Sequence, residues 1–419
     1  MIDRRAFASL LAGAVAAPGL ASQGVNHALG QDLKGKTVFY ASLGPALTLY
    51  DIDGEALIKR STVTLPANIQ YAWPHPSRKY FYIVSSNGGP GVPGDRHFAN
   101  ALRIDPVSGA LTAHGEPKAL PSRPIHTSVD LAGRYLLIAY NDPSSFTVHR
   151  LKEDGTIGDP VAQPNNLDTG IYAHQIRATP SNQMVTLVTR GNNAEPGKPE
   201  DPGAIKTFSF KDGVLTALAS IAPGDGLGFG PRHLDFHPTK PWVYVSIERQ
   251  NQLYVYRLDP ATGLSRDPMF VKTTLSDPKS KFSQGAGPIH IHPNGRFVYQ
   301  TNRASSLADF NGQKAFAGGE NSVVVFTIDQ ETGEPTLIQS IDGHGVQLRT
   351  FGIDPPGRIL VAGSVVPIQV REGERIGTLS AGLSVYRMGG DGRLDFVRKY
   401  DVEATQQNQQ FWTGMVTLA

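Results

Sequence analysis

Four arginines, four histidines and one glutamate have the types and spacing to act on an anionic, oxygen-rich ligand. They are Arg190, Arg232, Arg303, Arg349, His126, His174, His233, His290 and Glu248. Guanidinium forks bind carboxylate and phosphate oxygens two at a time. The densest run is GFGPRHLDFHPTKPWVYVSIE (228–248), a Gly-Pro-Arg-His stretch in which Glu248 follows Arg232 by sixteen residues. Charged residues make up only 18% of the chain, below the usual ~25%. Charges gathered in the interior of such a protein are costly unless they are paired or used. For any one of these residues a structural ion pair is an equal reading, and Arg232 with Glu248 is the obvious pair.

Several other chemistries are absent from the sequence. The chain has no cysteine, which removes disulfides, thiolate metal sites, iron–sulfur clusters and a cysteine nucleophile. It has no Gly-x-Ser-x-Gly elbow, so no serine nucleophile is expected. It has no His-Glu-x-x-His and no tight acidic cluster, so no metal and no cofactor are expected. The rival reading is a histidine-bound metal. Lys+Arg minus Asp+Glu is 39 − 37 = +2, without the basic face of a nucleic-acid binder.

The elements that must position these residues are repeats. A tight turn followed by a strongly β strand recurs in HPSRKYFYIVSS (75–86), DLAGRYLLIAYN (130–141), TPSNQMVTLVTR (179–190), HPTKPWVYVSIE (237–248), HPNGRFVYQTNR (292–303) and DPPGRILVAGSV (354–365). The second residue of each serves as an anchor: Pro76, Leu131, Pro180, Pro238, Pro293 and Pro355, spaced 55, 49, 58, 55 and 62 apart. Each unit ends in an alternating segment such as QLYVYRLD (252–259), SVVVFTID (322–329) or LSVYRM (383–388), the pattern of half-buried antiparallel strands.

Residues 37–53 supply the second and third strands of a further unit that lacks its first. FWTGMVTL (411–418) has the composition to be that strand. Six units plus one split unit predict an all-β, seven-bladed β-propeller of four-stranded antiparallel blades. Pairing the two chain ends in one blade closes the ring and removes exposed sheet edges. A pair of β-sandwiches is the rival architecture.

Residues shared by the repeats read as scaffold, and those that differ at a repeated position as candidates for function. His75, His237 and His292 each precede an anchor proline and read as turn residues. Six residues before the anchors stand Gln70, Ile125, His174, Arg232, Gly287 and Arg349; ten after stand Ser86, Asn141, Arg190, Glu248, Arg303 and Val365. The two sets face each other across a hairpin, so the charged members, with His126, His233 and His290 nearby, should ring one mouth of the central channel. The longest inserts, 87–100, 191–203, 304–321 and 366–382, follow second strands and should project from that same face, as binding loops on a rigid scaffold do.

The stretches 228–248, GAGPIHIHPNGRFVYQTNR (285–303), YAHQIRATPS (172–181) and PIHTSVDLAGRYLLIAYN (124–141) resemble the lactonase family of seven-bladed propellers. That family includes propeller-type 6-phosphogluconolactonases and a fungal carboxymuconate lactonising enzyme. The resemblance covers residues 37–418 and implies catalytic residues His174, Arg232, Glu248 and Arg303. It carries over His126, His233, His290 and Arg349 as substrate-binding residues; Arg190 joins them from its place in the ring rather than from the resemblance. Two features depart from the family pattern: Ile247-Glu248 stands where Asn-Glu is usual, and the inserts at 191–203, 304–321 and 366–382 are longer. The implied reaction puts water on a lactone carbonyl. His174 or Glu248 would hold the water, and one or two arginines would stabilise the oxyanion. A non-catalytic binding propeller of the cell envelope and a lactonising isomerase are the alternatives.

Residues 1–21, MIDRRAFASLLAGAVAAPGLA, pair Arg4 with Arg5 ahead of an apolar run from Leu10 to Ala17. That layout predicts a twin-arginine export signal, cleaved near Ala21. It is followed by a flexible lead-in (22–36) and the propeller (37–419). A periplasmic or secreted monomer acting on a small anionic or lactone substrate is expected, with the export machinery as its partner during transport. Phosphorylated sugars are scarce in that compartment, so a lactone without an obligatory phosphate fits it better.

Overall fold

The computed structural model describes residues 35–419. The export signal expected at 1–21 lies outside the described residues. Seven antiparallel blades of four strand positions form the molecule; in blades 2 and 5 the outermost position is broken into two short strands, Leu111–Ala113 with Lys118–Ala119 and Gly263–Leu264 with Phe270–Thr273. The first blade is the split one: Thr413–Thr417 lies innermost and pairs with Thr37–Leu43, followed outward by Ala46–Asp53 and Ala56–Thr64. The innermost strands of blades 2 to 7 are Asn68–Pro74, Pro124–Val129, Ala173–Ala178, Pro231–Phe236, Gln284–Ile291 and Leu348–Ile353. Among the described residues no helix is long and apolar enough to cross a membrane.

The core is divided among the blade interfaces. Seven hydrophobic clusters occur, each shared by two adjacent blades, including the closing pair of blades 7 and 1. Strand periodicity explains this, because successive side chains point to opposite faces. In Tyr80–Ser86, Phe81 and Ile83 face blade 1 while Tyr82 and Val84 face blade 3. In Trp242–Ile247, Val243 and Val245 face blade 4 while Trp242 and Tyr244 face blade 6. The third strand Gln252–Asp259 is half-buried as expected, but Ser322–Ile328 and Gly382–Met388, expected to be half-buried too, are buried on both faces over most of their length because neighbouring blades cover them, as second strands are.

The turn histidines act as staples. His75 Nε2, His237 Nε2 and His292 Nε2 bond to the carbonyls of Gly133, Gly295 and Gly357, the turn glycines of the following blades, at 2.9, 2.8 and 3.1 Å. A second set joins second-strand tyrosines to neighbouring blades. Tyr40, Tyr82, Tyr244 and Tyr299 donate to the carbonyls of Gly109, Gly155, Gly333 and Gly392. These glycines hold φ between 79° and 84°, the left-handed region open to glycine.

The four long inserts do follow second strands. Those of blades 6 and 7 fold into hairpins, Leu307–Phe310 with Gln313–Phe316 and Ile368–Glu372 with Arg375–Leu379. Arg371 stacks on Phe310 across them at 4.3 Å.

Candidate active site

One irregularity recurs in the innermost strands of blades 2 to 7. Pairing with the second strand slips by one residue between Ile69 and Tyr71, around Ile125, between Ala173 and Gln175, between Pro231 and His233, between Ala286 and Ile289, and between Leu348 and Thr350. The slip falls at Gln70, Ile125, His174, Arg232, Gly287 and Arg349, the residues six before each anchor. A β-bulge re-aims the side chains around it. Arg232 and His233 are neighbours in a strand, yet Arg232 Nη1 donates to His233 Nδ1 at 3.2 Å. In a regular strand they would point to opposite faces.

Glu248 is the centre of the charged group. It follows the second strand of blade 5, and its backbone N–H donates to Gly230 O at 2.7 Å. Three guanidiniums surround its carboxylate: Arg303 Nη2 at 3.3 Å, Arg232 Nε at 3.4 Å and Arg190 Nη1 at 3.6 Å. Burial opposes ionisation, but these arginines and Arg349 overcome it and hold the carboxyl below its ordinary range. Arg232 has a side chain only 2% exposed. Burial and the repulsion of Arg303 pull its pKa well down. Arg349 lies over the Phe411 ring at 4.1 Å; burial and the charges of Arg303 and Arg123 bring it down to about 9. Arg190 lies over Tyr172 at 3.9 Å.

Three histidines sit beside this group. The rings of His174 and His233 are 5.0 Å apart, and those of His233 and His126 5.9 Å. His126 packs against Tyr71 with ring centres 4.1 Å apart, the rings tilted by 39°. Burial first, then the arginine charges, push all three far below the usual imidazole range. They are neutral at pH 7. His174 Nδ1 and His126 Nε2 have no hydrogen-bond partner in the protein.

His290 stands apart from this trio but lines one cavity with His233, Arg349 and Tyr71. It lies deeper along its strand, its Nδ1 3.7 Å from Asp235 and its ring edge-on to Phe351. The sequence reading missed what holds this level. Arg177 of blade 4 pairs with Asp235 of blade 5 at 2.6 Å, and Asp235 accepts the Ile291 N–H of blade 6 at 2.9 Å. Burial would raise the Asp235 carboxyl, but Arg177 and His290 hold it well below its ordinary value. The clearest structural ion pair of the channel is therefore Arg177–Asp235. Arg123, buried next to Gln70, was missed as well. Neither arginine occupies a position six before or ten after an anchor. Among the described residues, no three His, Asp or Glu side chains gather in a metal-binding arrangement.

A family model described as lactonase, seven-bladed β-propeller, matches residues 42–365. The chain belongs to this lactonase family. It is 28% identical over 321 residues to a 6-phosphogluconolactonase of Bacillus subtilis, covering 74% of this chain and 81% of that protein. It is likewise 28% identical over 306 residues to a 6-phosphogluconolactonase of Pectobacterium atrosepticum, covering 72% and 79%. Among solved structures, a periplasmic gluconolactonase of Pseudomonas aeruginosa superposes with a TM-score of 0.65 at 19% identity, over 91% of this chain and 100% of that one. At that identity the likeness is one of fold. Family membership places the chain among lactone-hydrolysing enzymes.

Proposed function

We propose that this lactonase hydrolyses a sugar or related hydroxy-acid lactone, with its own side chains sufficient for the chemistry and no metal required. The observation that carries the reading is the charge surplus at the channel mouth. Three guanidiniums converge on one carboxylate beside a neutral histidine with a free ring nitrogen. A site with more cations than anions favours the form of the substrate that carries negative charge, which is the tetrahedral oxyanion.

His174 is the better base. Both groups lose basicity to the arginines, and each has an atom without a hydrogen-bond partner, Glu248 Oε2 and His174 Nδ1; but Glu248 is ion-paired with three guanidiniums, which protonation would break, whereas His174 is neutral and in no ion pair. Water attacks the lactone carbonyl carbon as its proton passes to His174 Nδ1. The carbonyl electron pair moves onto oxygen, facing Arg232 and Arg303. Collapse of this intermediate breaks the ring C–O bond, and the imidazolium returns the proton to the departing ring oxygen. The product is the open hydroxy acid, whose carboxylate Arg190 or Arg349 holds.

The test is a panel of lactones, corrected for spontaneous hydrolysis, on the intact protein beside His174→Ala. Loss of a positioned base lowers turnover by ~10²–10⁴. An intact protein that turns over no lactone would remove the reading. The compartment proposed is the periplasm, resting on the Arg4-Arg5 signal and consistent with the periplasmic relative by fold. Lysine at positions 4 and 5 should trap an uncleaved precursor in the cytoplasm; normal export of that variant would defeat the twin-arginine route.

A further inference from the structure

A cavity of about 730 Å³ lies off the channel axis on the insert face. The inserts of blades 2 and 4 wall it on two sides. Between them the second and third strands of blade 3 join through a short turn at Asp142-Pro143, which leaves the space open. Its lining includes Arg123, Tyr172, Arg190, Asn192, Glu195 and Lys198. Arg190 connects it to the catalytic group, since that side chain also contacts Glu248.

The three cations of the cavity differ in what they face. Lys198 pairs with Asp201 at 3.2 Å and Arg190 with Glu248. Arg123 is 4% exposed, and Nε donates to the neutral Gln70 Oε1 at 3.0 Å. Its Nη2 has no hydrogen-bond partner, and among the described residues no carboxylate forms an ion pair with it. A buried guanidinium without a counter-charge is a strongly unfavourable arrangement unless an anion comes to it. The side chain lines the cavity, and a guanidinium fork has the geometry that oxyanions take.

We propose that Arg123 is a specificity-determining residue, binding a carboxylate or phosphate that the substrate carries away from its lactone carbonyl. This rests on the hydrolase reading above. The substrate then spans from Glu248 past Tyr172 into the cavity, and the class is a lactone of a doubly acidic sugar derivative.

The test uses product acids, so it does not depend on turnover. Gluconate, glucarate and 6-phosphogluconate are titrated calorimetrically into a His174→Ala protein, with Arg123 intact, as Arg123→Gln and as Arg123→Lys. With Arg123 intact, one or both of the doubly acidic ligands should bind ~10–100-fold tighter than gluconate. Whether glucarate or 6-phosphogluconate gains more identifies the oxyanion. Arg123→Gln should erase the gain and Arg123→Lys should keep part of it. Equal affinities with Arg123 intact, no binding of any of the three, or a preference that survives Arg123→Gln would each overturn the proposal. If Arg123→Gln does not fold, the comparison with Arg123 intact and Arg123→Lys decides. A protein that shows the preference yet hydrolyses no lactone would sink the hydrolase reading and leave Arg123 as an anion-binding residue.

Discussion

Glu248→Gln removes one negative charge without changing shape, and it leaves three guanidiniums facing a neutral amide. At the separations found, 3.3 to 3.6 Å, each contact has a gross attraction of about 5 kcal/mol at an effective dielectric near 20. Much of that is offset by desolvation, and breaking a buried pair from one side costs about 3–5 kcal/mol net. The exposed fraction of Glu248, 20%, argues for the lower end. For a domain of this size the melting temperature should fall by ~4–6 °C. The same substitution should lower turnover by ~10² or more, because the arginines lose the group that aims them. Added phosphate separates a charge effect from a general loss of packing. A ligand at a hundred times its Kd stabilises by about 2.7 kcal/mol, and the variant, with its extra uncompensated cations, should gain more from it than the parent. Identical melting of the two proteins, with identical response to phosphate, would refute the claim that Glu248 holds the arginines.

Three further outcomes are expected. His237→Ala should lower stability by about 1–3 kcal/mol through loss of the bond to Gly295 O, with activity at permissive temperature retained; full stability with no activity would reverse the scaffold assignment. Deleting residues 411–419 removes the innermost strand of blade 1 and Trp412 from the interface with blade 2. The truncated chain should aggregate or melt far below the intact one, and unchanged melting would show that the ring does not need its closing strand. Stability should also fall as pH drops through about 6.5. His126, His174 and His233 are held neutral by burial and by the arginines, whereas the unfolded chain protonates them near 6.5. Below that pH the unfolded state binds more protons, so the folded state loses about 1.4 kcal/mol per pH unit for each histidine, ~4 for the three together. Chemical unfolding at pH 8, 6 and 5 reads this slope, and a flat profile would contradict neutral burial.

The repeat, the split blade and the turn histidines were legible because each recurs or completes a pattern. The bulges were legible only indirectly. Counting back from each anchor landed on Gln70, His174, Arg232 and Arg349, but nothing in the residue types says that pairing slips there. Register belongs to two strands at once. The tyrosine staples were in view, since Tyr82, Tyr244 and Tyr299 stand six residues after their anchors. Their glycine partners lie 73 to 93 residues away, and no local pattern links them. His290 was grouped with the mouth because Gly-Pro-Ile-His looks like Gly-Pro-Arg-His. It stands three residues before its anchor rather than five, and a shift of two along a strand keeps the face but changes the depth. Arg123 and Arg177 fell outside the counting rule altogether.

The division of labour between strands explains why charge collects where it does. A second strand buried against both neighbouring blades has no face left for an arginine, and the seven interfaces are accordingly apolar. The innermost strands face a channel, and the bulges turn extra side chains toward it without disturbing the interfaces behind them. At the deeper level Arg177, Asp235 and His290 balance one another across three blades. At the mouth the balance is withheld: Arg190, Arg232 and Arg303 share one glutamate, Arg349 rests on an aromatic ring and Arg123 on an amide. A scaffold that needed these charges only for cohesion would pair them as it pairs Arg177. Leaving cations in excess at one end of the channel lowers stability, and that cost is offset only when an anion, or a transition state that becomes one, occupies the mouth.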